Sequence, residues 1–168
     1  MDSKVFKKYK FDATVFFETG TYLGNAILEA AVAGFDEFYS IEFHPPFYEE
    51  TKERFKNNDK VHLYQGSSDK VIAEVLPTIE KRCLFWLDAH DTFHVTDGSL
   101  PTFGELDIIK EHPIKNHTII IDDTPVFFGD GVELNKKLLE INPDYTIERI
   151  PNATVEDYIT VAYIKEQS

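Results

Sequence analysis

The chain has 168 residues, of which 42% are hydrophobic and 28% charged, a composition typical of one globular domain with a substantial core. A net charge of -13 excludes nucleic acid as the expected partner, because binding its phosphates needs clustered lysine and arginine. Solubility explains most of this acidity, and the rest is compatible with carboxylates gathered around a cation. Cys83 is the only cysteine, which excludes an intramolecular disulfide.

No apolar run has the length of a membrane span, and the N-terminus lacks the apolar segment of a signal peptide. We therefore expect a cytoplasmic protein with no membrane partner. The sequence has no internal repeat or linker, so residues 1–168 are interpreted as a single domain. Phe127 and Phe128 leave a homodimer surface open, although core packing explains most aromatic residues.

Apolar runs alternate with helical patterns, which predicts an α/β fold with strand–helix units around a mostly parallel sheet. In chain order, the predicted strands cover residues 14–17, 37–41, 61–64, 83–87, 118–121, 145–150 and 158–164. Helices are predicted over residues 25–33, 46–56, 68–79, 102–110 and 132–141. The strand at 83–87 is apolar at every position, as expected for a strand covered by helices on both faces. The last two strands are expected to form a hairpin.

A loop with two glycines follows the first predicted strand, at the edge where open α/β sheets bind ligands. It reads Glu18-Thr19-Gly20-Thr21-Tyr22-Leu23-Gly24-Asn25. Glycines let the backbone turn sharply and approach a ligand, and the start of the next helix offers free N–H groups to a carboxylate. Glu18 instead suits a cationic group. This mixture favours a ligand with both charges, such as the methionine part of S-adenosylmethionine (SAM), although two glycines in a turn also occur without any ligand.

Two further loops fit the nucleoside part of such a ligand. Glu42 ends the second predicted strand, where a carboxylate can accept hydrogen bonds from both ribose hydroxyls. Ser67 and Ser68 follow the third strand and could contact an adenine edge, or simply cap the next helix. The three-glycine pattern of dinucleotide-binding proteins is absent.

Acidic side chains end the fourth and fifth predicted strands, which predicts a cation site. Asp88 follows one strand, and Asp122-Asp123 follows the other. Adjacent strands lie about 4.8 Å apart, so these carboxylates can converge on one ion. Oxygen ligands favour Mg²⁺, with Mn²⁺ or Ca²⁺ as alternatives, over zinc.

In this order, Glu18-x-Gly20-x-x-x-Gly24, Glu42, Trp86-Leu87-Asp88-Ala89-His90 and Ile121-Asp122-Asp123 resemble the class I SAM-dependent methyltransferases. The closer resemblance is to the metal-dependent O-methyltransferases of the catechol type and those acting on sugars and glycans. It implies a Rossmann-like fold with seven strands in the order 3-2-1-4-5-7-6, the seventh antiparallel. It also implies that Asp88, Asp122 and Asp123 hold the metal.

The resemblance implies transfer of a methyl group from SAM to a hydroxyl of a glycan or small-molecule acceptor with vicinal hydroxyls. Glu18, Thr19, Gly20, Thr21, Gly24, Asn25, Glu42, Ser67, Ser68 and Asp88 are the expected cofactor-binding residues. His90 is the expected general base because it titrates near neutrality, with Asp91 as a second candidate. Catechol enzymes carry a lysine where this chain has Asp91, so their base cannot be transferred to it.

Two other functions compete with this interpretation. An oxidoreductase that binds NAD or a nucleotide sugar would share the glycine loop and Glu42, although the sequence lacks a Tyr-x-x-x-Lys pair. A non-catalytic domain that binds SAM would share all of the cofactor-binding residues.

Overall fold

The computed structural model describes residues 2–89, 100–152 and 154–165. Its seven strands are β1 (Val15–Thr19), β2 (Glu37–Glu42), β3 (Val61–Gln65), β4 (Cys83–Leu87), β5 (Thr118–Ile121), β6 (Thr146–Ile150) and β7 (Ile159–Tyr163). The helices are α1 (Ser3–Tyr9), α2 (Asn25–Ala33), α3 (Pro45–Phe55), α4 (Ser68–Val75), α5 (Pro101–Glu111), α6 (Thr124–Phe127) and α7 (Val132–Ile141). A short 3₁₀ turn, Leu76–Thr78, extends α4. In the part of the chain that the structure describes, no helix has the length and apolar character needed to cross a membrane.

All seven strands form one sheet in the order β3-β2-β1-β4-β5-β7-β6. The first five strands of that order run parallel, and β7 is antiparallel to both of its neighbours, β5 and β6. The expected strand order, the antiparallel seventh strand and the terminal hairpin are therefore confirmed.

The sheet separates two apolar layers because successive side chains of each strand point to opposite faces. Phe17 of β1 packs in the layer that contains α4, α5 and α7. Phe16, its neighbour in sequence, packs in the opposite layer with α1 and α2. β1 and β4 are buried along their whole lengths, so the middle of the sheet is covered on both faces.

Helix α1 was not predicted from the sequence. Asp2 caps it by accepting hydrogen bonds from the backbone N–H groups of Lys4 and Val5, and Phe6 and Tyr9 anchor it in the core. Seven residues are too few for helical periodicity to be recognised, so only the cap marked this helix.

The boundaries differ from the prediction at the site edge. β1 reaches Thr19, two residues beyond its predicted end, and β2 includes Glu42. Glu18 and Thr19 therefore belong to the strand rather than to the loop, because ladder pairing with β2 and β4 continues to the last residue. The predicted helix at 68–79 is divided where Pro77 lies in the 3₁₀ turn. The short α6 was also not predicted.

Candidate active site

The predicted site residues meet at the carboxyl edge of the sheet, where β1 lies beside β4. The helices that follow these two strands lie on opposite faces of the sheet: α2, after β1, packs on one face, and α5, after β4, packs on the other. Such a switch point opens a crevice beyond the strand ends. Glu18 to Thr21 and Asp88 border it directly, with Glu42 and the Asp122-Asp123 pair on the flanking strands.

Gly20 brings the end of β1 against the end of β4. Its φ angle is +86°, and a Cβ atom there would lie 2.4 Å from the carbonyl oxygen of Asp88. The strand ends are tied together by hydrogen bonds from the N–H of Gly20 to Ile41 (2.9 Å) and from the N–H of Asp88 to Thr19 (3.0 Å). Only glycine fits this position, because the backbone of Gly20 lies against the end of β4; the predicted approach to a ligand stays a prediction.

Gly24 starts α2 in the left-handed conformation, and no side chain caps that helix. A Cβ atom at Gly24 would lie 2.6 Å from the ring of Phe55, so α3 packs directly against this turn. Asn25, the first residue of α2, accepts a hydrogen bond of 3.0 Å from Arg54, which also donates to the carbonyl of Leu23. Contacts with α3 therefore fix the conformation of the loop between β1 and α2.

Glu18 is buried and belongs to a chain of side-chain hydrogen bonds. The Ser40 hydroxyl donates to Glu18 Oε2 at 2.6 Å, and Thr21 Oγ1 lies 2.6 Å from the same hydroxyl. Because Ser40 has a single hydroxyl proton, Thr21 is the donor in the second bond. Burial, with smaller effects from Asp88 and Glu42, raises the pKa of Glu18 well above its usual range.

Glu42 fastens the loops after β1 and β2 to each other. Its carboxylate accepts hydrogen bonds from the backbone N–H of Tyr22 at 2.7 Å and from that of His44 at 2.8 Å, one on each oxygen. A carboxylate has about four acceptor positions, so two remain for a ligand. This geometry agrees with the predicted role of Glu42 on ribose hydroxyls and adds a bracing role.

Ser67 and Ser68 lie at the start of α4, as predicted. The Ser67 hydroxyl donates to Asp69, whereas Ser68 is buried. Ser67 occupies the N-cap position of the helix, but its side chain makes no capping hydrogen bond.

Asp88, Asp122 and Asp123 influence one another electrostatically. Burial first, and then the charges of Asp122 and Asp123, raise the pKa of Asp88 to about 8. Burial likewise raises the pKa of Asp122, although one of its oxygens accepts a hydrogen bond of 2.9 Å from the N–H of Asp123. Because neighbouring carboxylates disfavour the charge of Asp88 and of Asp122, a cation nearby would favour the ionised form of both.

The three aspartates do not yet form a ligand set. Over residues 2–89, 100–152 and 154–165, no group of three or more acidic, histidine or cysteine side chains is arranged to hold a metal ion. Carboxylate oxygens suit a hard cation as ligands, but one oxygen of Asp122 already accepts a hydrogen bond from the backbone N–H of Asp123. His90 and Asp91, the predicted catalytic residues, lie outside the described residues.

Several residues at this edge were not predicted from the sequence. Ser40 links Glu18 to Thr21, and Arg54 holds the loop before α2. Tyr158 reaches Asp123 from the start of the last hairpin strand, and the hydrogen bond between them is the main reason that the pKa of Tyr158 rises to about 12.

Glu105 is the remaining residue that sequence analysis missed. Its carboxyl group is fully buried within α5, and burial raises its pKa to about 7. A signal was available in the sequence: Thr102, Glu105 and Ile109 follow helical spacing, so the acid occupies the core-facing stripe of its helix.

The sequence matches no protein-family model, and it is similar to no curated protein. Solved structures resemble it closely in shape. An O-methyltransferase from Bacillus cereus, solved with S-adenosylhomocysteine (SAH), superimposes with a TM-score of 0.64 at 13% identity, covering 97% of this chain and 78% of that one. The O-methyltransferase TomG from Streptomyces achromogenes, which takes part in tomaymycin synthesis and was solved with SAM, gives 0.66 at 16%, covering 98% and 78%.

A ribosomal protein L11 methylase from Lactobacillus delbrueckii subsp. bulgaricus has a comparable TM-score of 0.65 at 12% identity, covering 98% of this chain and 77% of that chain. This chain has the class I methyltransferase fold. Because O-methyltransferases and a protein methylase superimpose on it about equally well, the fold by itself does not select the acceptor.

Proposed function

We propose that this chain is a SAM-dependent O-methyltransferase that methylates a hydroxyl of a sugar or glycan and uses a divalent cation. The observation that carries the proposal is the group of acidic side chains at the β1–β4 switch point. Glu18, Glu42 and Asp88 surround the turn at Gly20. Repulsion from Asp88 and Glu42 adds to burial in raising the pKa of Glu18, and repulsion from Asp122 and Asp123 adds to burial at Asp88. A ligand that brings positive charge relieves this repulsion.

The same electrostatics argue against a dinucleotide. SAM carries a sulfonium and an ammonium group, whereas NAD would bring two phosphate anions into an acidic crevice. The Gly20 turn contacts the β4 backbone, and the Gly20 N–H already bonds to Ile41, so this glycine has no N–H to donate to a phosphate. We therefore assign the methionine half of SAM to the Glu18–Thr21 segment and the ribose to Glu42.

SAM supplies an electrophilic methyl group on its sulfonium. The acceptor oxygen must lie in line with the bond from sulfur to methyl; as the carbon–oxygen bond forms, the carbon–sulfur bond breaks and leaves SAH. The hydroxyl proton must pass to a base, for which His90 is our first candidate and Asp91 the second. His90 and Asp91 come two and three residues after Asp88 in the sequence.

Asp88, Asp122 and Asp123 are the residues that would hold the cation. Bound to the acceptor, a divalent ion would supply a lowered hydroxyl pKa and a fixed oxygen position. Acceptors with vicinal hydroxyls suit such an ion because two oxygens can reach it together. Helix α1 packs against α2 and ends near the amino end of β5, so it does not cover the carboxyl edge.

Isothermal titration with SAH and with NAD tests the cofactor assignment. We expect SAH to bind with micromolar affinity and NAD not to bind measurably. NAD binding without SAH binding would overturn the methyltransferase proposal. Binding of SAH without turnover across a broad panel of sugars would instead indicate a non-catalytic domain.

A paired charge change tests the cation site. Asp88→Asn/Asp122→Asn should abolish binding of Mg²⁺ or Mn²⁺ by the SAH complex. The control variant Asp36→Asn/Asp59→Asn removes the same charge from exposed positions that precede β2 and β3, and should leave metal binding unchanged. Equal metal affinity in the two variants would contradict the metal dependence and leave the SAM assignment intact.

A further inference from the structure

Two buried polar groups lie just beneath the proposed cofactor crevice without a hydrogen bond of normal geometry to any described residue. Both carboxyl oxygens of Glu105 and the hydroxyl of Thr19 are in this state. Both side chains are fully buried, Glu105 on α5 and Thr19 at the last position of β1. A buried polar group without a partner is strongly unfavourable, so its presence calls for an explanation.

The surroundings of Glu105 suggest which groups are its partners. Weak hydrogen bonds from the hydroxyls of Ser68 and Thr19 offset part of the rise in the pKa of its carboxyl group, yet neither bond has normal distance and angle. The remaining charge that acts on it is the carboxylate of Asp69 on α4. Glu105 therefore lies between two hydroxyls that could donate to it after a small closing movement.

Helix α5 is close enough for such a movement to be small. A Cβ atom at Gly104 would lie 3.2 Å from the Cβ of Asp69, so the first turns of α5 and α4 are in contact beside Glu105. Thr19 precedes Gly20, assigned above to the methionine half of the ligand. Ser68, the first residue of α4, belongs to the segment expected at the adenine. The two hydroxyls thus belong to the two segments that would hold opposite ends of one ligand.

We propose that Glu105 is a positioning residue: when SAM occupies the crevice, its carboxyl group accepts hydrogen bonds from Thr19 and Ser68 and fixes the spacing of the two ligand-binding segments. The inference rests on the proposed function. These groups lose stability by lying without hydrogen bonds of normal geometry, and binding of SAM to both segments would supply contacts that draw them together.

This role predicts opposite effects on stability and on binding. Replacing Glu105 with leucine removes an unfavourable buried acid, so Glu105→Leu should unfold about 5 °C higher than the wild type. The same variant should bind SAH at least tenfold more weakly in isothermal titration. Glu105→Gln keeps an acceptor oxygen and should restore affinity to within about threefold of the wild type.

A second pair of variants repeats the test with a threonine. Thr19→Val removes the unbonded hydroxyl and should weaken SAH binding by roughly three- to tenfold without lowering the melting temperature. Thr118→Val is the matched control: Thr118 is a buried strand threonine whose hydroxyl donates to Tyr9 at 3.0 Å, near the opposite edge of the sheet. This control should lower the melting temperature and leave SAH affinity unchanged.

Wild-type affinity for SAH in both Glu105→Leu and Thr19→Val would overturn the positioning role, as would failure of glutamine to restore binding. Thr19→Val keeps the test decisive if the leucine variant does not fold. Failure of the wild type itself to bind SAH would instead contradict the proposed function, so the two failures are distinguishable.

Discussion

Buried polar side chains differ in their hydrogen bonding between the amino edge and the carboxyl edge of the sheet. At the amino edge, His117 accepts a hydrogen bond from the N–H of Cys83 at 3.0 Å, and its other ring nitrogen lies 2.9 Å from Nδ1 of His112. His112 then reaches the carbonyl of Ile79 at 2.9 Å. All four ring nitrogens of this histidine pair have partners. At the carboxyl edge, Glu105 and Thr19 are just as buried and have none among the described residues.

The difference separates stability from function. Fully bonded buried groups hold the amino edge in one conformation, whereas the carboxyl edge keeps hydrogen-bonding capacity and negative charge for a ligand. The pKa values follow the same division. Burial raises the pKa of Glu105 to about 7 and lowers that of His117 to about 3.

The largest effect is expected from Gly20→Ala, at the carboxyl edge. The new Cβ would collide with the Asp88 carbonyl, so we expect SAH affinity to fall at least a hundredfold and stability to fall by roughly 2–4 kcal/mol. Gly34→Ala is the control: Gly34 also has a positive φ, +90°, but its Cβ would meet nothing within 4 Å. It should lose about 1 kcal/mol of stability and no affinity, as measured by urea unfolding and titration.

The amino edge should respond in stability alone. His117→Phe preserves the ring but leaves the N–H of Cys83 unbonded, so we expect a loss of about 2–3 kcal/mol at pH 7 with unchanged SAH affinity. A loss of affinity comparable to that of Gly20→Ala would break the division between the two edges.

The pH dependence of unfolding sharpens the comparison. Because the folded state lowers the pKa of His117, stability from this group is present above about pH 6.5 and is lost as pH falls towards 3. The expected slope is about 1.4 kcal/mol per pH unit. Glu105 has the opposite sign, since its raised pKa makes the folded state more favourable at low pH. Urea unfolding of the wild type and His117→Phe at pH 7, 6, 5 and 4 isolates the histidine as the difference between them.

Glu42 gives an intermediate effect at the carboxyl edge. Glu42→Gln can accept a hydrogen bond from only one of the two N–H groups that the carboxylate now holds, so SAH affinity should fall about tenfold. The control is Glu37→Gln at the amino end of the same strand, where Glu37 pairs with the exposed Lys81. Titration should show no change in SAH affinity for the control, because an exposed pair contributes little.

Apolar runs and turn residues predicted where the strands lie along the chain, whereas their order in the sheet could be predicted only through the family resemblance. Gly20, Glu42 and Asp88 could be placed at one edge because parallel strands end together. Ser40 and Glu105 could not, because each acts through a contact that depends on packing between separate elements. The hydrogen bond between His112 and His117 could not be predicted either, because the two side chains meet only after α5 packs beside β5.

The smallest effect is expected from Arg54, which lies on the outer side of the site. Its guanidinium donates to Leu23 and Asn25 and so holds the loop before α2, but it is exposed and water can replace these bonds. Arg54→Ala should therefore weaken SAH binding only about threefold, mainly through faster dissociation. The control Lys56→Ala removes an exposed cation that pairs with Glu53, three residues earlier, and should have no effect. A tenfold loss in Arg54→Ala, measured by stopped-flow displacement, would show that the shape of this loop matters as much as the buried acids do.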